Sequence, residues 1–508
     1  MSREIELKLE CEPEALERVR RSRALSRLKK GRASAKLLRS VYFDTENFAL
    51  MKDGLALRVR ETGGKRVQTL KTESEAGISA DRGEWETALA KHEDAPDLNR
   101  LPDDLKARIK SLANGDAISP RLTSLIRRTA SRLETPEGDE IEFAIDRGVL
   151  RANGREMPVS EVELELKRGD PASLYRLALE LADIAPVRIG MRSKAERALQ
   201  LAGDNKLTAI RAETTDLDRR VSVEDAYALI LKQCLTHLLM NEAVAFEQVS
   251  SEGLHQMRVA LRRMRSAFSA FREVMGAQGT DRFSTEAKWL ATAIGRARDL
   301  DVFLTDILAP VEAAHEDGEG LAALRAAADA ARETAWAGAR AAVRSSRMTR
   351  FVLELALYID ERGWRTGRRN DAALTAPLAA YAPGVLDKRL SRVEKLARRI
   401  ESLDIEERHE LRKRLKRLRY TLGFFSSLYR RAQAKHYLRV LAELQDVFGA
   451  LNDVEAAHSI IRDLSGAEPG LAEAGGHVLA HHERRARKQW NSALKLWRNF
   501  REEDAFWR

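Results

Sequence analysis

The stretch Glu4-Ile5-Glu6-Leu7-Lys8-Leu9-Glu10 alternates charged and apolar side chains without a break. A period of two is the repeat of an extended strand, whose successive side chains leave on opposite faces. Glu4, Glu6, Lys8 and Glu10 therefore share one face, and Ile5, Leu7 and Leu9 the other. A lone strand of this kind would simply turn its polar face to water. Here the device recurs. Arg58 and Arg60 share a face with Leu57 and Val59 opposite, Glu84 and Glu86 share another, and Glu161, Glu163 and Glu165 a third, while Lys71 closes Thr69-Leu70-Lys71.

Further strand patterns fall at 40–44, 56–61, 67–72, 83–88, 140–147 and 159–166, with Gly63-Gly64 reading as a hairpin turn. Helical patterns interrupt them at 14–29, 102–112 and 174–181. Many strands joined by short turns predict a closed or nearly closed antiparallel barrel. Acidic pairs two residues apart can hold a hard divalent cation through oxygen. Arg and Lys so placed can grip phosphate oxygens, Arg through a planar fork and Lys as a point charge. A barrel lined by both would hold a metal-bound oligophosphate.

From about 203 the periodicity lapses. Beyond the lapse the pattern is helical nearly to the end, with Pro310, Pro377 and Pro383 reading as breakers between helices. This all-α half contains a repeat. His255 and His409, Gly295 and Gly449, and Asp299 and Asp453 are each 154 residues apart (409 − 255, 449 − 295, 453 − 299). At ~100° per residue, His255, Arg258, Arg262 and Arg265 form one stripe, and His409, Arg412, Lys416 and Arg419 repeat it. Each lies beside an apolar stripe, at the rim of a packed face, where a shared groove is expected. Lys413, Arg414 and Arg417 point elsewhere and read as solvated, and Asp299 and Asp453 as structural partners of the arginines.

The chain has 508 residues, enough for two or more domains. Its formal charge of +10 favours anionic partners. The basic stripes lack interleaved aromatics, which argues against nucleic acid. Two cysteines, Cys11 and Cys234, exclude a disulfide framework and a thiolate metal site. Glu4 and Glu6 stand where a signal peptide needs an apolar core, and the apolar run 351–359 is too short to span a membrane, so the cytoplasm is expected.

In its motifs, EIELK at 4–8, YFDT at 42–45, LRVR at 57–60, TLK at 69–71, EWE at 84–86, DRG at 146–148, ELEL at 163–166 and RSK at 192–194, the first half resembles the CYTH family, the triphosphate tunnel metalloenzymes. The resemblance implies an eight-stranded antiparallel tunnel that binds triphosphate and a divalent metal, Mg²⁺ or Mn²⁺. It implies phosphate binding by Lys8, Arg58, Arg60, Lys71, Arg127 and Lys194, with only the register separating Arg127 from Arg128. Glu4, Glu6, Glu163 and Glu165 would bind metal and position the attacking water, placing Glu4, Glu6 and Lys8 at the catalytic centre. Glu84, Glu86 and Asp146 would line the tunnel.

The second half, through HQMRVALRRMR, GRARDLDV, HELRKRLKRLRY and GALNDV, resembles the CHAD family of conserved-histidine α-helical domains, which is associated with polyphosphate binding. The expected architecture is thus multidomain α+β: a tunnel domain at 1–202, a linker at 203–218, and a helical bundle with a two-fold repeat at 219–508. The expected function is metal-dependent hydrolysis of inorganic triphosphate beside a polyphosphate-binding module. A non-catalytic polyphosphate scaffold and a nucleotide-directed enzyme, either an adenylate cyclase or a thiamine triphosphatase, remain open on this reading.

Overall fold

A computed structural model of the chain describes residues 2–72, 78–203, 207–247, 250–314, 319–366, 372–466 and 468–508. It divides into two compact units, Met1–Thr208 with Arg344–Gly363, and Ala209–Val343 with Trp364–Arg508.

The first unit is built on an antiparallel sheet of nine strands: β1 (Ser2–Glu10), β2 (Lys29–Asp44), β3 (Ala56–Thr62), β4 (Lys65–Lys71), β5 (Ala80–Leu89), β6 (Ser119–Glu134), β7 (Glu140–Ala152), β8 (Arg155–Arg168) and the two-residue β9 (Arg188–Ile189). Their order is β5-β4-β3-β2-β6-β7-β8-β1-β9, and β5 also pairs with β1, so β1 to β8 close a ring. Gly63 and Gly64 both have positive φ, 54° and 74°, as the two-residue turn joining β3 to β4 requires. The long strand β6 carries no clear period-two pattern. Its residues, Leu122, Ser124, Ile126 and Arg128 among them, mix apolar and polar types on one face and hide the alternation. The helix expected over 14–29 is two, Pro13–Arg20 and Arg23–Leu28, because Ser22 caps a new start by accepting from the Leu25 amide.

Outward Leu7, Leu9, Val162 and Leu164 are fully buried, and helix Ala172–Ile184 packs against β1 and β8. Each such side chain contributes roughly 2 kcal/mol by leaving water. Helix Lys194–Ala202 instead meets the inner face. Its Ala195, Ala198 and Leu199 pack with Leu38, Tyr42, Leu122, Ile126 and Leu150. Those residues lie on the same strand faces as Ser40, Arg58 and Arg128, so the helix fills one end of the ring.

Helix Ser346–Asp360, within sequence expected to belong to the helical half, is part of this first unit. It packs on helix Ala172–Ile184, and the Thr349 hydroxyl donates 2.7 Å to the Val187 carbonyl.

Among its described residues the second unit consists of helices joined by turns, with an ordered strap at 209–218, where a linker was expected; residues 204–206 of that linker lie outside the described residues. Ile210 exchanges hydrogen bonds with the Asn241 side chain, Leu217 N–H donates 2.9 Å to Ser427 Oγ, and Thr215 is fully buried. Pro383 is no breaker; it lies inside helix Leu378–Ala397. The two basic stripes fall on helices Ser251–Met275 and Ile405–Phe425, which are in contact. Gly295 opens the short helix Gly295–Val302, which contains Asp299, whereas Gly449 and Asp453 lie inside the continuous helix Arg431–Ser465. Among the described residues no helix is long and apolar enough to cross a membrane.

Candidate active site and anion groove

Strand register carries the charged alternation into the ring. Glu6 of β1 stands opposite Glu165 of β8, Lys8 opposite Glu163, and Glu10 opposite Glu161. On the other side of β8, Glu165 faces Glu142 and Glu161 faces Asp146 of β7. One wall is therefore a ladder of carboxylates. The facing strands supply cations: Ser40 pairs with Arg60, Tyr42 with Arg58, and Lys71 with Glu84.

The wall divides into two carboxylate groups. Asp146, Glu161 and Glu163 bring ligand atoms within 4.8 Å of one another, as a divalent cation would need. They are already compensated. Lys194 Nζ lies 2.7 Å from both Asp146 Oδ2 and Glu163 Oε1 and also bonds Glu161. Arg128 forks onto Asp146 at 2.7 Å through both Nε and Nη2 and reaches Glu163. Arg197 Nη2 lies 2.6 Å from Glu161. Burial works against the Lys194 ammonium, but Glu161, Glu163 and Asp146 outweigh it and hold its pKa well above the usual lysine range. Burial likewise opposes the charge on Glu163, yet Arg128, Lys194 and Lys8 hold its pKa well below the usual carboxylate range.

Glu4, Glu6, Glu142 and Glu165 form the second group, at the other end of the ladder. Lys71 Nζ binds both oxygens of Glu4, at 2.8 and 2.7 Å, and reaches Glu84 at 3.0 Å. Lys8 Nζ lies 3.3 Å from Glu6. Burial raises the pKa of Glu165; Lys167 opposes this, and the negative charges of Glu4 and Glu142 add to the rise. A carboxylate destabilised by its neighbours gains most from an incoming cation, so the donor set fits a hard metal ion.

Arg58 and Arg60 face these carboxylates with little compensation. Arg58 Nη2 is 3.9 Å from Glu84, and Arg60 donates 3.3 Å to Ser40 Oγ. Burial, then Arg58, pushes the Arg60 guanidinium down to about 10. Burial would raise the Tyr42 hydroxyl, but Arg58 and Arg60 lower it. Crowded cations are suited to an anion with charge on several oxygens.

The structure corrects one site residue. Arg127 is exposed on the outer face, and its neighbour Arg128 takes the interior position. Glu86 also sits at an exposed position, accepting from Thr69 Oγ1 at 3.2 Å. Sequence reasoning gave no role to Arg128, Glu142 or Arg197. The alternation Glu140-Ile141-Glu142 was the available signal for Glu142; Arg197, three residues after Lys194 on one helical turn, had no strand pattern to mark it.

In the helical unit a groove of about 880 Å³ is lined by His255, Arg262, Lys416 and Arg419 from the two stripes, with Tyr420 and Asp453. Arg211, Lys435 and Arg439 also line it and went unnoticed in the sequence. Arg262 Nε donates 3.2 Å to Tyr420 Oη. Arg258 lies 3.6 Å from Asp299 and packs so closely over Gly295 that a Cβ there would come within 2.4 Å of its Nη1. Burial, then Arg412 and Arg262, push the Lys416 amine down to about 6, with Arg258 adding to the effect and Asp453 opposing it. Cations from both stripes thus converge on one place. Burial, then Arg262 and Arg298, takes His255 to about 4, so it is neutral near pH 7. His409 Nδ1 is 2.6 Å from Asn452 Oδ1, and Arg265 does not line the groove.

Residues 2–199 match the CYTH domain family, and residues 229–462 match the CHAD domain family. The chain therefore belongs to both families, as a CYTH domain joined to a CHAD domain. The CHAD match spans residues 344–363, which pack in the first unit. An uncharacterized protein of Mycobacterium tuberculosis is 27% identical over 446 residues, 80% of this chain and 80% of its own. An inorganic triphosphatase of Haemophilus influenzae is 26% identical over 178 residues, 34% of this chain and 47% of its own. The crystal structure of the CHAD domain from the plant Ricinus communis is 30% identical, with 56% of this chain and 96% of that one covered and a TM-score of 0.49.

Proposed function

We propose that the chain is a metal-dependent hydrolase of inorganic triphosphate, releasing diphosphate and phosphate, and that its helical unit binds polyphosphate. The observation that carries the first part is the ring interior, with a carboxylate ladder on β1, β7 and β8 facing Arg58, Arg60 and Lys71. The triphosphatase relative supports the same reading.

Phosphoryl transfer to water needs positioning and charge neutralisation more than covalent chemistry. Arg58, Arg60 and Arg128 would fork onto phosphoryl oxygens, and Lys8, Lys71 and Lys194 would neutralise the remainder of the chain. Glu4, Glu6 and Glu165, with Glu163 and the unforeseen Glu142, would hold the ion; Lys194 already occupies the space among Asp146, Glu161 and Glu163. Bound Mg²⁺ or Mn²⁺ would supply charge neutralisation at the phosphoryl oxygens. A carboxylate of this group accepts a hydrogen bond from water aligned on the terminal phosphorus. The new P–O bond forms from that water as its proton passes to the carboxylate, and the bridging P–O bond breaks, its electron pair leaving with diphosphate.

Convergence of Arg258, Arg262, Arg412 and Lys416 supports polyphosphate as the groove ligand. An anion spanning both stripes gains from effective concentration, because its second contact costs no further translational freedom.

Phosphate release from inorganic triphosphate, ATP and long-chain polyphosphate, measured side by side with Mg²⁺ and with Mn²⁺, tests the reading. Triphosphate is expected to be turned over fastest. Preference for ATP would move the activity to nucleotides, and polyphosphate binding without release from any substrate would leave only a scaffold.

A further inference from the structure

Helix Ser251–Met275 contributes Arg265 to a second set of guanidiniums, which does not line the groove. Arg265 neighbours Arg417 of helix Ile405–Phe425. One turn after Arg265, Ser269 Oγ accepts 2.8 Å from Nη2 of Arg389, on helix Leu378–Ala397. Arg389 therefore reaches the face of helix Ser251–Met275 that carries Arg265 one turn away. Arg392 lies three residues beyond Arg389, and its carbonyl accepts 2.8 Å from Arg414. Arg392 and Arg417 both act on Arg389 as like charges.

What Arg265 and Arg389 lack is counter-charge. Arg389 is 6% exposed, and Arg265 Nε is buried with no hydrogen-bond partner. Among the described residues neither arginine forms an ion pair with a carboxylate. Of the two nearby acids, one is engaged elsewhere and the other reaches only Arg417 of the four. Glu273 binds Lys388, and Glu410 is shared by Arg414 at 3.2 Å, Arg417 at 3.8 Å and Lys413 at 4.0 Å. Burial, then Arg392 and Arg417, pushes Arg389 down to about 10, while Tyr381 and Glu273 oppose this. A buried cation without a partner is costly, and an arriving anion removes that cost.

We propose that Arg265, Arg389, Arg392 and Arg417 form a second anion site, separate from the groove, that takes a phosphate-bearing anion, either free diphosphate or a segment of a polyphosphate chain. Arg265 and Arg389 form the floor, and exposed Arg392 and Arg417 the accessible rim. Planar forks at both levels match the oxygens of a phosphoryl group. The site stands whether or not the barrel hydrolyses triphosphate or the groove holds polyphosphate.

Calorimetric titration of the full chain with diphosphate, and separately with long-chain polyphosphate, tests the site. The floor variant Arg265→Gln/Arg389→Met and the rim variant Arg392→Gln/Arg417→Gln should each bind one diphosphate fewer per chain, or bind it at least ~10-fold more weakly. The groove variant Arg412→Gln/Lys416→Gln should keep that equivalent. Weakening confined to long polyphosphate would identify the occupant as a chain segment and still support the site. Since the floor variant loses an unpaired buried charge, its ligand-free Tm should not fall. If it fails to fold, the rim variant decides. Wild-type affinity and stoichiometry for both anions in the rim variant would overturn the proposal, as would a lower floor-variant Tm with anion binding intact.

Discussion

Lys194 Nζ lies 2.7 Å from Asp146 Oδ2, inside a carboxylate group that could otherwise cradle a divalent ion. The lysine thus holds the geometry that a metal would hold. Lys194→Met should leave the three carboxylates facing Arg128, Arg197 and Lys8. Removing one partner of a buried ion pair costs about 3–5 kcal/mol. Thermal unfolding of the variant in chelator should show that loss, and added Mg²⁺ should restore part of it.

The register separating Arg127 from Arg128 gives a paired test. Arg128→Gln should reduce triphosphate turnover by ~100-fold, the scale of losing one preorganised donor. Arg127→Gln, on the outer face, should stay near wild type in the same phosphate-release assay.

Helix Ser346–Asp360 makes a tunnel fragment ending at 202 incomplete. That fragment should be less stable than one in which 344–363 is rejoined through a flexible linker, as read by chemical denaturation. In the full chain, Thr349→Val should cost about 1 kcal/mol through loss of the hydrogen bond to Val187.

Lys416 makes anion binding in the groove depend on pH. Its amine titrates near 6 in the free groove, so it is largely neutral at pH 8. A bound polyanion favours the ammonium form, so binding takes up a proton. Affinity for polyphosphate should rise as pH falls from about 8 toward 6 and level off below the free value. Lys416→Arg, charged throughout, should flatten that slope in titrations at pH 6.5 and 8.5. A suitable control is charge reversal of Lys413 with Arg398, both exposed and neither lining the groove.

Much of the barrel interior could be read from period-two alternation, because a strand fixes which side chains share a face. Glu4, Glu6, Lys8, Arg58, Arg60 and Glu165 reach the interior for that reason. Alternation does not fix register between neighbouring strands, which is why Arg127 was taken for Arg128. β6 was invisible because its inner face mixes Leu122 and Ile126, packed against a helix, with Ser124 and Arg128. The periodicity of helix Ser346–Asp360 announces a helix but not the surface that receives it; tertiary packing decides that. The strap at 209–218 has no periodicity because individual hydrogen bonds to Asn241, Arg263 and Ser427 fix it. Arg265 shares the stripe on a helical wheel, yet it does not line the groove.

The central claim is that the carboxylate ladder makes the barrel a metal-dependent triphosphatase. Its most direct test is phosphate release from inorganic triphosphate by the wild-type chain and by Glu6→Gln, each with Mg²⁺ and with excess chelator. Glu6→Gln removes a carboxylate charge with little change in volume, so the fold should persist. The account predicts turnover only for wild type with Mg²⁺. Wild-type turnover that survives excess chelator, or a folded Glu6→Gln chain as active as wild type, would contradict it.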